Sequence, residues 1–307
     1  MPDGIYETNL PGLTLLRRGK VRDVYQLGPN LLLVATDRVS AFDSVLPTPI
    51  PDKGKVLTAL SLFWFSKLSP GIPNHLVTAQ LDAIPQLADV LDVVSGRSMV
   101  VRPAEVLPIE FVVRGYIFGT AFTDYLQDGA TCGIKLPPGL RLAEKLPEPI
   151  LTPATKSTEG HDINITHQDA INQIGNEAFQ RAKDLSFQIF NFAKPWLEER
   201  GLLLCDTKFE FGHVDGDLIL VDEVLTPDSS RLWWSDAYVV GQTPVSIDKQ
   251  FIREHLLKAG WNKTPPAPAL PSDVVRHARG LYLDAYRVIT DHELEPVAND
   301  LVRSGGL

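Results

Sequence analysis

Residues 202–223 read LLLCDTKFEFGHVDGDLILVDE, which is the most informative segment of the sequence. Side chains alternate between the two faces of a β-strand, so Asp206, Lys208 and Glu210 share one face. Apolar and small side chains occupy the other face. Such alternation is typical of a solvated edge strand, or of a sheet with one functional face and one packed face. The dipeptide Asp215-Gly216 is a hairpin turn signal, and LILVD is the return strand.

The length of this turn decides which residue faces Glu210. A three-residue loop from Asp215 to Asp217 places Asp222 directly opposite Glu210, whereas a two-residue loop turns Asp222 to the other face. Two opposed carboxylates repel each other unless a cation lies between them. Mg²⁺ takes a small number of carboxylate oxygens when phosphate oxygens and water complete its octahedron. We therefore interpret Glu210 and Asp222 as a nucleotide–magnesium site, with Lys208 near an anionic group of a ligand.

Basic residues elsewhere in the chain are candidates for binding anions. Arg231 follows the turn 226–228, where a guanidinium can bind a carboxylate or phosphate in bidentate fashion or pack on a neighbouring tryptophan. Arg114 ends an apolar strand, and an arginine in so apolar a segment has either a partner or a function. Gly19 and Lys20 form a tight turn between two strands, which suits phosphate binding or an ordinary basic hairpin.

The loop ATDRVSAFD, residues 35–43, carries charges of both signs. Its polar side chains are Asp37, Arg38, Ser40 and Asp43. An amino acid carries an amine and carboxylates, so it needs partners of both signs. The loop is therefore a candidate amino-acid site, although ordinary solvated loop chemistry fits it equally well.

The composition limits the class of partner. The 307 residues include 29 Lys and Arg against 38 Asp and Glu, a formal net charge of −9. An acidic chain has no general attraction to nucleic acid or anionic lipid, so we expect neither as a partner. The start lacks a secretory signal, and two cysteines without CxxC argue against a disulfide or zinc framework. We expect a cytoplasmic protein that binds small molecules.

For the rest of the chain, the sequence predicts strands in the first third and helices in the last part. Three short strands form an antiparallel meander at 13–16, 21–27 and 31–36. This order indicates an α+β protein with two lobes, which we divide into 1–105 and 106–307. We expect the proline-rich residues 136–153 to form a loop between the lobes. One long helix follows, capped by Thr166 and ended by Pro195.

Eight blocks occur in order between residues 19 and 256: GKVRDVY, ATDRVSAFD, PDKGKVLTALSLFWF, RPAEVLPIEFVVRGYIFGTAF, TPATKSTEGHD, CDTKFEFG, DEVLTPDSSRLWW and DKQFIREHL. Together they resemble the longer, yeast-like branch of the SAICAR synthetase family. The resemblance implies a kinase-like N-terminal lobe of antiparallel strands that closes over ATP against a larger C-terminal α+β lobe. It implies an ATP- and Mg²⁺-dependent ligase of purine biosynthesis, which joins L-aspartate to the carboxylate of a carboxy-aminoimidazole ribotide.

The resemblance also assigns roles to individual residues. The ATP site comprises Gly19, Lys20, Arg22, Lys156, Glu210 and Asp222, the last two also as Mg²⁺ ligands. The residues that bind the other substrates are Ser40, Asp43, Arg114, Thr120 and Arg253, with Ser40 and Asp43 matching positions near aspartate. The catalytic residues are Asp206, Lys208 and Arg231. The family usually has serine where this chain has Thr120, so the hydroxyl is kept with an added methyl group.

Two other classes of protein share part of this pattern. An ATP-dependent transferase with a kinase-like lobe would carry an HRD-type catalytic loop and a DFG, and the sequence contains neither. A non-catalytic nucleotide-binding module would lose the metal carboxylates or the arginines for the second substrate, but these residues are all present. We therefore favour the ligase, and we expect it to act as a monomer.

Overall fold

The computed structural model describes residues 4–42, 44–156 and 163–294. The chain divides into two compact units. Unit 1 is Met1–Ala104 together with Asp248–Leu307, and unit 2 is Glu105–Ile247. The division into 1–105 and 106–307 differs from this grouping in the residues from Asp248 onward, because a single cut cannot represent a unit built from two segments. Each unit contains helices and antiparallel strands, which confirms the α+β class.

The strands are numbered along the chain. They are β1 (Thr14–Arg18), β2 (Arg22–Leu27), β3 (Asn30–Ala35), β4 (Ser40–Ala41), β5 (Ser44–Val45), β6 (Leu76–Thr78), β7 (Ser98–Val101), β8 (Glu105–Val106), β9 (Ile109–Tyr116), β10 (Ala130–Thr131), β11 (Ile134–Lys135), β12 (Lys145–Thr155), β13 (Leu202–Val214), β14 (Asp217–Val221) and β15 (Ser230–Trp234). The helices are α1 (Lys53–Leu68), α2 (Leu91–Val94), α3 (Thr120–Asp128), α4 (His167–Ile174), α5 (Asn176–Glu198), α6 (Gln250–Lys258) and α7 (Ser272–Thr290). Within the described ranges, no helix combines the length and apolar character needed to span a bilayer.

Unit 1 is built on a five-stranded antiparallel sheet in the order β1-β2-β3-β7-β6. The predicted meander forms its first three strands and is confirmed. Helix α1 packs on β3 and β7, and Gly54 permits the close approach. A Cβ at Gly54 would lie 2.1 Å from the carbonyl oxygen of Ala35. Helix α7 packs against α1, where Arg279 donates to Asp52 at 2.6 Å.

Unit 2 is built on a sheet with the path β12-β9-β13-β14, and β15 and β8 also pair with β13. Helix α5 packs across one face of β9 and β13. On this face the ring centroid of Phe111 lies 6.1 Å from that of Phe179 and 5.4 Å from that of Phe211. These contacts confirm that one face of β13 is packed, and strand alternation turns the charged residues to the opposite face.

Residues 136–144 form the predicted loop, but strand β12 begins at Lys145. The prediction that 136–153 connects the two lobes was wrong, because all of these residues belong to unit 2. Strand β12 lies at the edge of its sheet and pairs with β9 alone in the path. Proline lacks an N–H donor, and an edge strand tolerates that loss because its outer side needs no complete ladder of hydrogen bonds. On that side β12 is bonded only near its end, where Thr155 N donates to the carbonyl of Ile163 and Ile165 N to that of Pro153. Pro147, Pro149 and Pro153 are therefore compatible with a strand at this position.

The predicted long helix is two helices, α4 and α5, which are separated at Gly175. Gly175 combines φ 83° with an extended ψ of 155°, a conformation that glycine adopts readily and that ends the first helix. The capping box of Thr166 and Asp169 is confirmed at the start of α4. Pro195 lies inside α5 rather than ending it. The missing N–H falls in the last turns, where the helix continues only to Glu198.

The β13–β14 hairpin has a two-residue turn, not the three-residue loop. Asp215-Gly216 forms the turn with φ values of 54° and 90°, the left-handed geometry that matches the twist of a tight hairpin. Glu210 therefore pairs with Val221, and the prediction that Asp222 lies directly opposite Glu210 was wrong. Asp222 itself has φ 64°. The backbone thus turns directly after β14, and the side chain of Asp222 does not follow the alternation of the strand.

Candidate functional site

Two arginines on neighbouring strands hold one carboxylate of β13. Asp206 pairs in register with Arg114 of β9 and with Arg231 of β15. Arg114 Nη1 lies 2.6 Å from Asp206 Oδ2, and Arg231 Nη1 donates to the same oxygen. The side chains of Arg114 and Asp206 are only 5% and 6% exposed. Two guanidinium charges against one carboxylate leave a positive charge in excess, which suits an anionic ligand.

Two hydroxyl groups complete the surroundings of Arg114. Its Nε donates to Thr152 Oγ1 at 2.8 Å, and its Nη2 lies 3.5 Å from Thr120 Oγ1 at the start of α3. The structure therefore brings Thr120 to Arg114, as predicted. We name this group the arginine cluster; it consists of Arg114, Thr120, Thr152, Asp206 and Arg231.

Arg231 lies against the segment between β9 and α3. Its guanidinium carbon is 5.5 Å from the ring centroid of Phe118, a cation–π contact. Gly119 has φ 60°, and a Cβ there would lie 2.9 Å from Arg231 Nη2. Only glycine combines this backbone conformation with the space that the guanidinium occupies. Gly119 therefore fixes the position of Arg231.

A second group surrounds Lys208, two residues further along the same face. Lys208 Nζ lies 2.7 Å from Glu110 Oε1 and 2.8 Å from Glu210 Oε1. Lys156 donates to the other oxygen of Glu210. We name this group the lysine cluster; it consists of Glu110, Lys156, Lys208, Glu210 and Asp222. Its two ammonium groups and three carboxylates leave one negative charge in excess.

Sequence reasoning missed Glu110. It lies four residues before Arg114 in β9, so strand alternation places both side chains on one face. That spacing could have identified it, because an ammonium group at Lys208 needs carboxylate partners once the face is partly buried.

The charges in the lysine cluster shift the pKa values of its members. Burial alone would lower the pKa of Lys208, but the charges of Glu210, Glu110 and Asp222 outweigh it and raise that pKa well above its usual range. Burial would likewise raise the pKa of Glu210, but Lys208 and Lys156 hold it well below its usual range. Asp222 thus acts electrostatically on Lys208 despite the different hairpin register.

The donor set of the lysine cluster fits a magnesium ion. In the part of the chain that the structure describes, no group of three or more His, Cys, Asp or Glu is arranged to hold a metal. Mg²⁺ does not require one, since it binds through one or two carboxylates together with water and phosphate oxygens. Glu210 and Asp222 offer hard oxygen ligands in surroundings with an excess negative charge. These residues are therefore able to hold Mg²⁺ when a nucleotide supplies the remaining oxygens.

Glu210 makes the stability of the chain depend on pH in a defined window. A carboxylate with a lowered pKa stabilises the fold above its unfolded value and loses that contribution as the pH falls through the folded value. For Glu210 this window runs from about 4.5 down to about 2. We expect Glu210→Gln to be less stable than the parent by a few kcal/mol at neutral pH, and the difference to shrink through the window. Thermal unfolding from pH 7 to pH 2.5 measures this; a difference independent of pH contradicts it.

The remaining predicted site residues lie in unit 1. Gly19 and Lys20 lie in the loop between β1 and β2, as the sequence indicated, and Arg22 begins β2. The two candidates for the other substrates are Ser40 in β4 and Arg253 in α6. Asp43 lies outside the described residues. The ligand roles of these residues stay predictions.

Asp37 and Arg38 fit neither of the two interpretations of the loop 35–43, the amino-acid site or the ordinary solvated loop. Both are buried, with exposures of 1% and 3%. Asp37 Oδ2 accepts from the main-chain N of Ile5 at 2.7 Å, and its Oδ1 accepts from that of Gly54 at 2.9 Å. Arg38 donates to Asp23 Oδ1 at 2.7 Å. Their charges are therefore matched within the protein.

Comparison with known proteins places this geometry in a family. The family model described as SAICAR synthetase matches residues 15–268. The phosphoribosylaminoimidazole-succinocarboxamide synthase of Thermodesulfovibrio yellowstonii is 50% identical over 291 residues, which cover 94% of this chain and 100% of that protein. The synthase of the same name from Syntrophobacter fumaroxidans is 50% identical over 296 residues, which cover 96% of this chain and 98% of that protein.

Solved structures agree with the sequence matches. A SAICAR-synthase from Saccharomyces cerevisiae complexed with SAICAR has a TM-score of 0.86 at 40% identity, covering 94% of this chain and 99% of that one. A SAICAR synthetase in complex with ADP has a TM-score of 0.67 at 24% identity and shares the fold. From the family match and the identity along nearly its whole length, this chain belongs to the SAICAR synthetase family.

Proposed function

We propose that this chain joins L-aspartate to the carboxylate of 5-amino-1-(5-phosphoribosyl)imidazole-4-carboxylate. ATP is consumed, and the products are SAICAR, ADP and phosphate in de novo purine biosynthesis. Family membership supports the reaction. The observation that carries the proposal is the charged face of β13, where a positive and a negative cluster lie side by side.

The chemistry suits a site without an activated nucleophile. A carboxylate does not react with an amine until one of its oxygens becomes part of a leaving group. Transfer of the γ-phosphoryl group of ATP to that oxygen releases ADP and leaves an acyl phosphate. The aspartate amine then attacks the carbonyl carbon, phosphate departs with the former carboxylate oxygen, and the amine gives up a proton. Such a reaction needs positioning and charge neutralisation from the protein.

The two clusters divide these tasks. Arg114 and Arg231, with the hydroxyl of Thr120, bind an anionic group of the ribotide. Asp206 holds both guanidinium groups in place, since each donates to its Oδ2. Lys208 keeps its positive charge, because its pKa is raised, and stabilises negative charge that develops on the substrate carboxylate.

ATP and Mg²⁺ are assigned to the other predicted residues. Glu210 and Asp222 are the proposed ligands of Mg²⁺, which when bound neutralises charge on the phosphates of ATP. Lys156 donates a hydrogen bond to Glu210 beside them. The other proposed contacts are Gly19, Lys20 and Arg22 with ATP, Ser40 and Asp43 with aspartate, and Arg253 with a phosphate.

The cell compartment and the assembly are also proposals. Neither Cys132 nor Cys205 forms a disulfide, which suits the reducing cytoplasm in which we place the enzyme. A monomer remains our expectation. Light scattering of the purified chain measures its mass in solution directly.

The function is tested by omitting one substrate at a time. We expect purified protein to release ADP only when ATP, Mg²⁺, the ribotide and L-aspartate are all present, and to form the succinocarboxamide in equal amount. ADP release without aspartate would indicate an accumulating phosphorylated intermediate or a kinase activity. If no combination yields ADP, the proposal fails.

Gly119→Ala tests the position of Arg231. The added Cβ meets the guanidinium at 2.9 Å and the backbone at φ 60° resists a side chain, so we expect kcat/KM for the ribotide to fall about 30-fold or more. Gly175→Ala between α4 and α5 is the matched control, since Gly175 also combines a positive φ of 83° with an extended ψ of 155° and has nothing within 4 Å of the added atom. That variant carries strain without the clash. Equal losses in the two variants would refute a specific role for Gly119.

A further inference from the structure

Two carbonyl groups in and beside the loop between β1 and β2 accept hydrogen bonds from the segment that follows β3. The carbonyl oxygen of Gly19 accepts from Arg38 Nη2 at 3.0 Å. That of Val21 accepts from Thr36 twice, from the main-chain N at 3.0 Å and from Oγ1 at 2.6 Å. At the other end of the loop, the N of Gly19 donates to the carbonyl of Arg22 at 2.7 Å. The conformation of the loop is therefore set from outside it.

Arg38 is itself held by a buried carboxylate. Its Nη2 donates to Asp23 Oδ1 at 2.7 Å, and its Nη1 donates to the carbonyl of Tyr6 at 2.5 Å. The side chain of Asp23 is 0% exposed and that of Arg38 is 3% exposed. Asp23 Oδ2 also accepts from the main-chain N and the hydroxyl of Thr8. The guanidinium thus has one available position, and in that position it reaches Gly19.

We propose that Arg38, fixed by Asp23, is a positioning residue for the nucleotide phosphates: it holds the carbonyl of Gly19 away from them. This inference rests on the proposed function, in which the Gly19-Lys20 loop contacts ATP. A carbonyl oxygen repels a phosphate, whereas a main-chain N–H attracts it. A loop that binds phosphate must therefore turn its carbonyls inward, and Arg38 and Thr36 do this for two of them. Arg38 contributes by orienting the loop rather than by touching the ligand.

The test compares two buried arginines of unit 1. Arg38→Lys keeps a positive charge near Asp23 but cannot reach Asp23, Tyr6 and Gly19 together. Arg97→Lys is the matched control, because Arg97 is equally buried and bonds Asp37 at 3.0 Å and the carbonyl of Ala35, not the loop. Binding of ADP with Mg²⁺ is measured by calorimetry on the full chain, beside thermal unfolding and steady-state kinetics.

We expect Arg38→Lys to raise the Kd of ADP and the KM of ATP about tenfold, the value of one hydrogen bond of a charged group. In Arg38→Lys we expect kcat and the KM of aspartate to change by no more than about twofold. In Arg97→Lys we expect all of these constants to stay within about twofold of the parent values, although its loss of thermal stability should be similar to that of Arg38→Lys. Hydrogen exchange of the Gly19 loop should accelerate in Arg38→Lys and not in Arg97→Lys.

Thr36→Val is a milder variant that removes only the hydroxyl bond to Val21, and we expect it to raise the Kd of ADP about threefold. Equal weakening by Arg38→Lys and Arg97→Lys would overturn the inference, since general softening of the unit would then suffice. Unchanged ADP binding in Arg38→Lys, or in Thr36→Val should Arg38→Lys not fold, would overturn it as well. If the parent chain binds no ADP, both this inference and the proposed function fail. If the parent chain binds ADP normally and a contradicting result is seen in the variants, only the inference about Arg38 fails.

Discussion

Lys208→Met is expected to lower kcat by about a hundred- to a thousandfold, the loss seen when one preorganised electrostatic group is removed from a site. The ammonium of Lys208 is the positive group that bonds both Glu110 and Glu210. Without it, three carboxylates face each other with only Lys156 to offset them, and any negative substrate group is repelled. Steady-state kinetics with all three substrates measures the effect, and Lys135→Met, at an exposed position of the same unit, is the control.

The loss of activity in Lys208→Met has to be separated from a loss of folding. We expect the variant to unfold more easily by about 3 kcal/mol, since buried carboxylates lose their partner. The double variant Lys208→Met with Glu110→Gln removes one of those negative charges, so it should recover much of the stability while staying inactive. Recovery of activity along with stability would show that Lys208 serves only the fold.

Asp206→Asn is expected to cost about 3–5 kcal/mol of stability, the penalty for removing one partner of a buried ion pair. Arg114 and Arg231 both donate to one oxygen of Asp206. A neutral amide cannot offset two guanidinium charges, which then repel each other and separate. We also expect kcat/KM for the ribotide to fall about a hundredfold or more, because two positioned arginines are disturbed by one change.

Inorganic phosphate offers a direct check on the charge of the arginine cluster. In Asp206→Asn the two arginines carry no internal counter-charge from that position, so added phosphate should raise the midpoint of thermal unfolding more than in the parent chain. Asp184→Asn on the exposed side of α5 serves as the control and should respond like the parent. Equal responses of Asp206→Asn and the parent would contradict a net positive cluster.

Strand alternation was sufficient to place three residues of the site. It placed Asp206, Lys208 and Glu210 on one face of β13, and the packing of α5 on the other face confirms it. Alternation depends only on the local backbone, so it can be read from a single segment. The same rule applied to β9 places Glu110 on the same face as Arg114. Glu110 was missed because only the arginine was singled out in this apolar strand.

Register and grouping depended on information that no single segment carries. The turn Asp215-Gly216 closes with two residues, because both adopt left-handed conformations, and the sequence allowed either length. Asp222 has a left-handed backbone after the end of β14, and its charge still acts on Lys208. The placement of residues from Asp248 onward in unit 1 depends on contacts with distant parts of the chain, such as that of Arg279 with Asp52.

The prolines of β12 affect the tendency of the protein to aggregate at high concentration. An open strand edge presents N–H and C=O groups on which a second molecule can extend the sheet, and this is a common start of aggregation. Pro147 and Pro149 lack that donor in the outer strand of unit 2. Near Pro153 the edge is already covered, because Ile165 N donates to the Pro153 carbonyl and Thr155 N donates to that of Ile163. A strand from a second molecule cannot form a complete set of backbone hydrogen bonds with β12. The outer strand of the charged sheet therefore disfavours edge-to-edge association of two copies of the protein.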